Sequence, residues 1–423
     1  HVGSEAVVRA AREPGQGGGR GDRFAAVWEL ARTLLGTPVA ESGPPPRLFG
    51  GFSFSDDHKA EGSWAEFPQA YFILPSVELI GGREGGVLTV RRLIKDSQDP
   101  AAVLPSLKAE VVSLGAELAS VPCDEGERTH GEVRVRSETD QDEWTSMVET
   151  ALCAIEGKEL LKVVLARALS ASPVRAIDPV ELGLELWRQN PDSHVFLFEP
   201  SPGHVLVGAA PETIVTVEAG SFRATAVAGS VARGASGEEE EALASKLLTS
   251  EKARREHSLC VQDMAERLEA LVDRMEAVSE PHLLRLASIQ HLESDVTAEL
   301  RPGETVLSAL RALHPTPAVC GFPRDKALAL LQKEEATRRG WYAGPVGWLD
   351  GDGNGVFVPA LRSAVAVNGR WRLFAGAGIV SGSDPQKEWN ETLIKFQPVL
   401  KALSGAGTHQ AHLGQEGERE GEA

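Results

Sequence analysis

The sequence is poor in cysteine and has no cysteine motif. Its 423 residues include four cysteines, which are Cys123, Cys153, Cys260 and Cys320. They are widely spaced and form no C-x-x-C pair, which argues against a structural zinc site or a disulfide framework. This usage is typical of a reduced protein, so we expect a cytoplasmic location.

Long apolar runs are also missing, because no stretch reaches the length of a membrane-spanning helix. No signal peptide is visible. The chain begins at His1 rather than methionine, and we expect its natural start to be missing or processed. These features predict a protein that does not enter a membrane.

Basic residues are in deficit. Lys and Arg number 43 against 61 Asp and Glu, so the formal net charge is −18. This charge argues against non-specific nucleic-acid binding and attraction to anionic membranes. An anionic substrate would need a local group of Lys and Arg side chains. We expect a small-molecule substrate and a monomer or homodimer.

Composition divides the chain into four portions. Residues 13–22 are glycine-rich but lack the G-K-[ST] ending of a phosphate loop, so residues 1–22 are predicted to be flexible. Residues 23–135 form a sheet-rich N-terminal portion, and residues 136–404 carry the candidate chemistry. Residues 405–423 form a polar, acidic tail that we expect to be disordered.

The most informative stretch is residues 374–395, which combines a strand of small residues, a turn and a helix start. The turn allows two caps, a capping box of Ser383 with Gln386 or Asp384 followed by proline. On the helix, Glu388, Glu391 and Lys395 share one face. They could hold a divalent cation and an anionic ligand, or form a solvated face with an ion pair.

Three charged residues upstream are further candidates. Lys162 lies near the start of a predicted strand, residues 160–171, in which apolar residues occupy both faces. It either reaches solvent from the strand end or is a desolvated lysine whose pKa falls into the range of a general base. Glu212 lies in a tight turn, where most glutamates are solvated. Glu256 lies on an apolar helical stripe within residues 238–278, so it needs solvent, a partner or a metal ion.

Two further features lie near the C-terminus. Arg362 sits inside residues 356–367, which are predicted to be one apolar strand, and this invites a carboxylate partner. The loop at residues 350–355 resembles half of a calcium loop. The required glutamate is replaced by Leu361, so we predict a hairpin turn instead.

Taken together, these pieces resemble the chorismate-utilising enzymes, which include isochorismate, salicylate, anthranilate and aminodeoxychorismate synthases. The resemblance covers residues 162–401 and rests on KVVLAR, GAAPE, AGS, REH, HPTPAVCG, GWYAGPVGW, ALRSA, FAGAGI and EWNET. It implies an α+β fold: one large domain of two packed antiparallel sheets with helices outside and the site in a cleft.

Within the family, HPTPAVCG and the lysine at position 162 are similar to isochorismate synthases. The resemblance implies magnesium-dependent conversion of chorismate to isochorismate. Two alternative activities remain open, those of a salicylate synthase and of an aminating chorismate enzyme. The pathway that uses the product also stays open among menaquinone, siderophore and salicylate biosynthesis. A catalytically dead relative acting as a binding protein is disfavoured by the intact set of charged residues.

The resemblance also implies a role for each matching residue. Lys162 resembles the general base that activates water, and Glu212 resembles the general acid. The implied magnesium ligands are Glu256 and Glu391, with Glu388 as a direct or water-mediated ligand. The implied substrate-binding residues are Gly229, Ser230, Ala318, Arg362, Gly376 and Lys395. One departure is Val356, where members often have glutamate, and we assign it no role.

Overall fold

The computed structural model describes residues 4–10, 22–36, 43–82, 85–95, 97–121, 131–234, 236–285 and 289–404. The helices are α1 (Arg23–Leu35), α2 (Pro100–Ser120), α3 (Gln141–Glu156), α4 (Pro179–Gln189), α5 (Gly237–Thr249), α6 (Glu251–Leu268), α7 (Val306–Leu313), α8 (Arg324–Glu334) and α9 (Pro385–Ser404). A 3₁₀ turn covers Gly62–Trp64.

The strands are β1 (Ser4–Ala10), β2 (Arg47–Phe52), β3 (Ala70–Pro75), β4 (Val77–Gly82), β5 (Gly85–Val90), β6 (Val133–Ser137), β7 (Lys162–Pro173), β8 (His194–Ser201), β9 (His204–Ala210), β10 (Val215–Glu218), β11 (Ser221–Ala232), β12 (Val272–Val278), β13 (His282–Arg285), β14 (Ile289–Leu300), β15 (Gly321–Phe322), β16 (Pro345–Asp350), β17 (Gly355–Pro359), β18 (Ser363–Val367) and β19 (Arg370–Val380).

Two antiparallel sheets form the framework. The larger has ten strands in the order β1-β3-β2-β16-β17-β10-β11-β14-β12, with β13 beside β14. The smaller has seven, in the order β15-β7-β19-β18-β9-β8, with β6 beside β7. The hairpin of β4 and β5 stands apart. Since β2 pairs with β16, the N-terminal portion and the catalytic portion share one sheet.

The two sheets pack through a common apolar core. Tyr71 and Val358 of the larger sheet lie in the same cluster of buried residues as Leu165, Leu206 and Ile379 of the smaller sheet. Helix α3 adds Trp144 and the apolar residues at helical spacing behind it. This arrangement confirms the predicted fold. Within the described residues, no helix combines the length and hydrophobicity needed to cross a membrane.

The structure selects one of the two caps proposed for α9. The Asp384 carboxylate accepts a 2.9 Å hydrogen bond from the N–H of Lys387, so the Asp384–Pro385 cap starts this helix. The Ser383 hydroxyl instead accepts from the N–H of Val380, at 3.1 Å. The 350–355 loop joins β16 to β17 as the predicted hairpin turn, because the Asp350 carboxylate accepts the N–H groups of Asp352 and Asn354.

Three predictions about elements are wrong in part. Residues 4–10 of the segment expected to be flexible form β1, which pairs with β3. The helical prediction for 238–278 fails at its end, where β12 joins the larger sheet. Residues 356–367 are two strands, because the chain turns sharply at Arg362, whose φ is 46°. Most of the remaining N-terminal segment and the predicted acidic tail lie outside the described residues.

Candidate active site

A cavity between the two sheets brings together most of the residues that the sequence singled out. The smaller sheet contributes the start of β7 and the middle of β19, the larger sheet contributes β11 and β14, and helices α6 and α9 contribute charged side chains. The predicted site residues that line it are Lys162, Glu212, Gly229, Glu256, Ala318, Arg362, Gly376, Glu391 and Lys395.

Lys162 is buried at the floor of this cavity, with 2% of its side chain exposed. Its Nζ atom lies 2.9 Å from Oε1 of Glu256 and 3.9 Å from Sγ of Cys260. Burial acts to lower its pKa, but Cys260 and Glu256 outweigh burial, and the pKa is raised. The prediction of a lowered pKa is therefore wrong for this state, because a carboxylate partner stabilises the ammonium form. The alternative of a solvent-reaching lysine is also wrong.

Glu212 lies just after β9 and is buried, so the solvated-turn reading is wrong. Burial raises the pKa of Glu212 to about 7, although Lys162, Arg362 and Lys395 act to lower it. A carboxyl group with this pKa is protonated in an appreciable fraction of molecules at neutral pH. It can therefore donate a proton to a leaving group.

Arg362 presents a guanidinium to the cavity from the turn between β17 and β18. Within the described residues, no carboxylate lies within ion-pair distance of it, so the predicted direct carboxylate partner is absent there. Burial lowers the pKa of Arg362, while Tyr342, Glu391 and Glu212 act to raise it. A desolvated guanidinium without an ion-pair partner is a strong binding point for an anionic group.

Helix α9 presents Glu391 and Lys395 to the same cavity. Lys395 Nζ lies 2.6 Å from Glu391 Oε1 and donates a 2.8 Å hydrogen bond to the carbonyl of Gly376. The ion pair that the sequence allowed is therefore present, but it lines the cavity instead of a solvated face. The backbone contact ties α9 to β19 and fixes the position of the ammonium.

Glu388 differs from the other predicted ligands, because it is buried beside the cavity and is not among the residues that line it. Its Oε1 lies 3.6 Å from Nζ of Lys252, on the first turn of α6. The same ammonium donates to the Ser383 hydroxyl at 3.3 Å. Burial and the nearby Glu391 raise the pKa of Glu388, while Ser383 and Lys252 act to lower it.

The small residues of β11 and β19 leave room at different points of the cavity. A Cβ atom on Gly378 would lie 2.9 Å from Oε1 of Glu256, so this glycine accommodates the buried ion pair. A Cβ on Gly376 would meet the Leu165 carbonyl at 3.0 Å. The backbone of Ser230 pairs with His291 of β14 next to the lining residue Gly229, whose φ is 77°.

Two of the lining residues with polar side chains, His291 and Tyr342, were given no role by sequence reasoning. His291 is buried, and burial together with Arg362 and Lys395 lowers its pKa well below the usual value, so the imidazole is neutral. Burial raises the pKa of the Tyr342 hydroxyl to about 12, which keeps it protonated. Tyr342 lies inside the GWYAGPVGW motif, which the sequence analysis used without giving this side chain a role. His291 belongs to none of the motifs, and a single histidine in a sequence does not indicate a site.

The carboxylates supply the oxygen ligands that a magnesium ion requires, but they are not arranged as a complete coordination site. Within the described residues, no three Asp, Glu, His or Cys side chains already converge as a ligand cage. Magnesium needs fewer protein ligands, because it is held by one or two carboxylates together with substrate and water. Glu256 and Glu391 reach the cavity from different helices, and the repulsion between Glu391 and Glu388 is what a cation would relieve.

The cavity therefore brings together a proton donor, a buried amine, a guanidinium and two carboxylates. This combination is typical of an enzyme that moves protons on a small anionic substrate. The chain belongs to the family described as "Chorismate binding enzyme", whose model matches residues 10–404.

Curated relatives and solved structures agree with this family. The chain is 36% identical over 385 residues to the salicylate biosynthesis isochorismate synthase of Pseudomonas aeruginosa, covering 91% of this chain and 80% of that protein. It is 36% identical over 370 residues to the isochorismate synthase MenF of Bacillus subtilis, covering 87% and 76%. The menaquinone-specific isochorismate synthase MenF of Escherichia coli superimposes with a TM-score of 0.74 at 27% identity, covering 90% and 83%.

Proposed function

We propose that this protein is an isochorismate synthase that converts chorismate to isochorismate and uses Mg²⁺. The observation that carries the proposal is the cavity in which Glu212, with a pKa of about 7, faces the same space as Lys162 and Arg362. The relatives in this family that are isochorismate synthases support the same activity.

The reaction needs one base and one acid. A water molecule gives a proton to Lys162 as its oxygen bonds to C2 of the chorismate ring. The two ring double bonds shift, the C4–oxygen bond breaks, and Glu212 gives its proton to the departing hydroxide. One water is consumed and one is released, so the net change is an isomerisation. A positioned acid or base contributes about 10²- to 10⁴-fold to such a rate.

The base role requires a change in the Lys162–Glu256 contact, because an ammonium ion paired with a carboxylate is a weak base. The Glu256 side chain belongs to α6 and lies at the cavity wall, where it can take another partner. We infer that this contact is rearranged in the working complex.

Substrate charge explains the cationic groups. Chorismate is a dianion, and Arg362 and Lys395 are proposed to hold its carboxylates, with Gly229, Ser230, Ala318 and Gly376 as close backbone neighbours. Glu256 and Glu391 would hold Mg²⁺, with Glu388 as a direct or water-mediated ligand. When bound, the ion would offset the charge of a substrate carboxylate beside the acidic side chains.

The test is product analysis of the purified protein with chorismate, with and without Mg²⁺, by chromatography and proton NMR. We expect isochorismate in the magnesium sample and no pyruvate. Salicylate with pyruvate would move the assignment to a salicylate synthase, and a product formed only with ammonia would indicate an aminating enzyme. If chorismate remained unchanged under all these conditions, the catalytic proposal would be wrong.

A further inference from the structure

Lys252 is a cation at the site that neither the sequence motifs nor the proposed chemistry uses. It lies on the first turn of α6, four residues before Glu256, and reaches across to α9. Its Nζ atom is 3.3 Å from the Ser383 hydroxyl and 3.6 Å from Glu388 Oε1. Each of the three predicted metal ligands therefore has its own lysine partner in the described structure.

The three lysines differ in exposure. The side chain of Lys162 is 2% exposed, that of Lys395 is 14% exposed, and that of Lys252 is 47% exposed. If Lys162 lost its carboxylate partner, its ammonium would stay buried without a counter-ion, which costs considerable free energy. Lys252 can turn into water at little cost, because its ammonium is already partly hydrated. Of the three contacts, that of Lys252 is the easiest to exchange.

The contact also explains the position of Glu388. Glu388 and Glu391 lie three residues apart on α9 and share a face of the helix, yet Glu391 lines the cavity and Glu388 does not. The Glu388 carboxylate is engaged by Ser383 and Lys252, on the side toward the start of α6. Holding it there separates it from the cavity.

We propose that Lys252 is a displaceable counter-ion that holds Glu388 outside the cavity until a divalent cation binds. The cation then replaces Lys252 as the partner of Glu388, and the Lys252 side chain moves into solvent. This proposal rests on the proposed use of Mg²⁺ and adds a residue that tunes metal affinity.

The expected effect follows from competition. A partly exposed ion pair contributes up to about 1 kcal/mol, and cation binding must replace this contact. Removing the ammonium should therefore tighten divalent-cation binding by about two- to fivefold. If Lys252 only joined α6 to α9, its removal would lower the melting temperature of the metal-free protein and leave cation affinity unchanged.

The experiment measures Mn²⁺ binding to the metal-free protein by the loss of the free-ion EPR signal, with Mg²⁺ as competitor. The variants are Lys252→Met, Lys252→Gln as a second replacement, and Lys387→Met as the control. Lys387 is exposed and adjacent in sequence to Glu388, so its replacement removes the same charge nearby. A Glu388→Gln background completes a double-mutant cycle.

We expect tighter Mn²⁺ binding in both Lys252 variants, no change in Lys387→Met, and no effect of Lys252→Met in the Glu388→Gln background. An unchanged or weaker affinity in the Lys252 variants would overturn the proposal, and so would an equal gain in the Glu388→Gln background, because that would be a general charge effect. A wild-type protein that binds no Mn²⁺ and converts chorismate without Mg²⁺ would overturn both this proposal and the metal part of the proposed function.

Discussion

The ammonium of Lys162 and the carboxylate of Glu256 form a buried ion pair of 2.9 Å that is packed against the backbone of Gly378. The contact joins the first residue of β7 to α6. The small residue on β19 leaves the space in which the two side chains meet. Several properties of the protein should depend on this arrangement.

Replacing Gly378 with alanine should disturb the pair directly. The added Cβ would lie 2.9 Å from Glu256 Oε1, a distance that real Cβ atoms essentially never show, and 3.2 Å from Cε of Lys162, which is a tight contact, so the side chains of the pair must shift. We expect kcat to fall by about tenfold or more, because a displacement of about 1 Å at a catalytic group can cost 10²-fold. Gly81→Ala is the matched control, since a Cβ there meets nothing within 4 Å. Equal activity of the two variants would show that the pair has no catalytic role.

Replacing Lys162 tests the proposed base. Lys162→Met keeps the length of the side chain and removes the amine, so we expect kcat to fall by about 10²- to 10⁴-fold. Because the variant leaves Glu256 without its ammonium partner, the melting temperature should be measured beside the kinetics. A folded variant that retains the wild-type kcat would contradict the base assignment.

The pH dependence of kcat/KM should follow Glu212. Its pKa of about 7 means that the protonated form needed by a general acid is lost as pH rises through neutrality. We expect kcat/KM to decrease above about pH 7, and a Glu212→Gln variant to be slow throughout and to lack this decrease. A wild-type profile that is flat between pH 6 and pH 9 would rule out this acid.

Glu212 should also reduce stability at high pH. Its folded-state pKa lies above the ordinary value of 4.5, so the folded protein binds more protons than the unfolded chain between these values. Stability therefore falls as pH rises from about 4.5 to about 7, by about 3 kcal/mol for a shift of this size. Glu212→Gln should raise the melting temperature at pH 8 relative to wild type, and this gain should shrink toward pH 5. Thermal unfolding at both pH values checks the sign.

Sequence reasoning reached the fold and most of the cavity through local patterns that reflect burial. The double-sided apolar strand around Lys162 and the stripe around Glu256 both have direct counterparts in the structure. Periodicity does not show which distant segments of the chain come together. The family motifs indicated this, because family members place these segments in one site. Glu391 and Lys395 were identified on one helical face, and both line the cavity.

What could not be predicted depends on contacts between elements. The pKa of Lys162 is raised by Cys260 and Glu256 on α6, which lie 98 and 94 residues away in the sequence. The break of the strand at Arg362 needs a positive φ that its arginine does not suggest. Lys252 lies in an ordinary charged helix start, and only its side-chain contacts with Glu388 and Ser383 give it significance.

The proposed addition of water to the substrate is tested most directly by turnover of chorismate by the Mg²⁺-supplied enzyme in water enriched in ¹⁸O, followed by mass spectrometry of the product. Addition of water at C2 with loss of the C4 hydroxyl predicts isochorismate that carries one solvent oxygen per molecule, formed by wild type and about 10²- to 10⁴-fold more slowly by Lys162→Met. Isochorismate without solvent oxygen would mean that the hydroxyl group moves within the substrate, and the roles proposed for Lys162 and Glu212 would be contradicted.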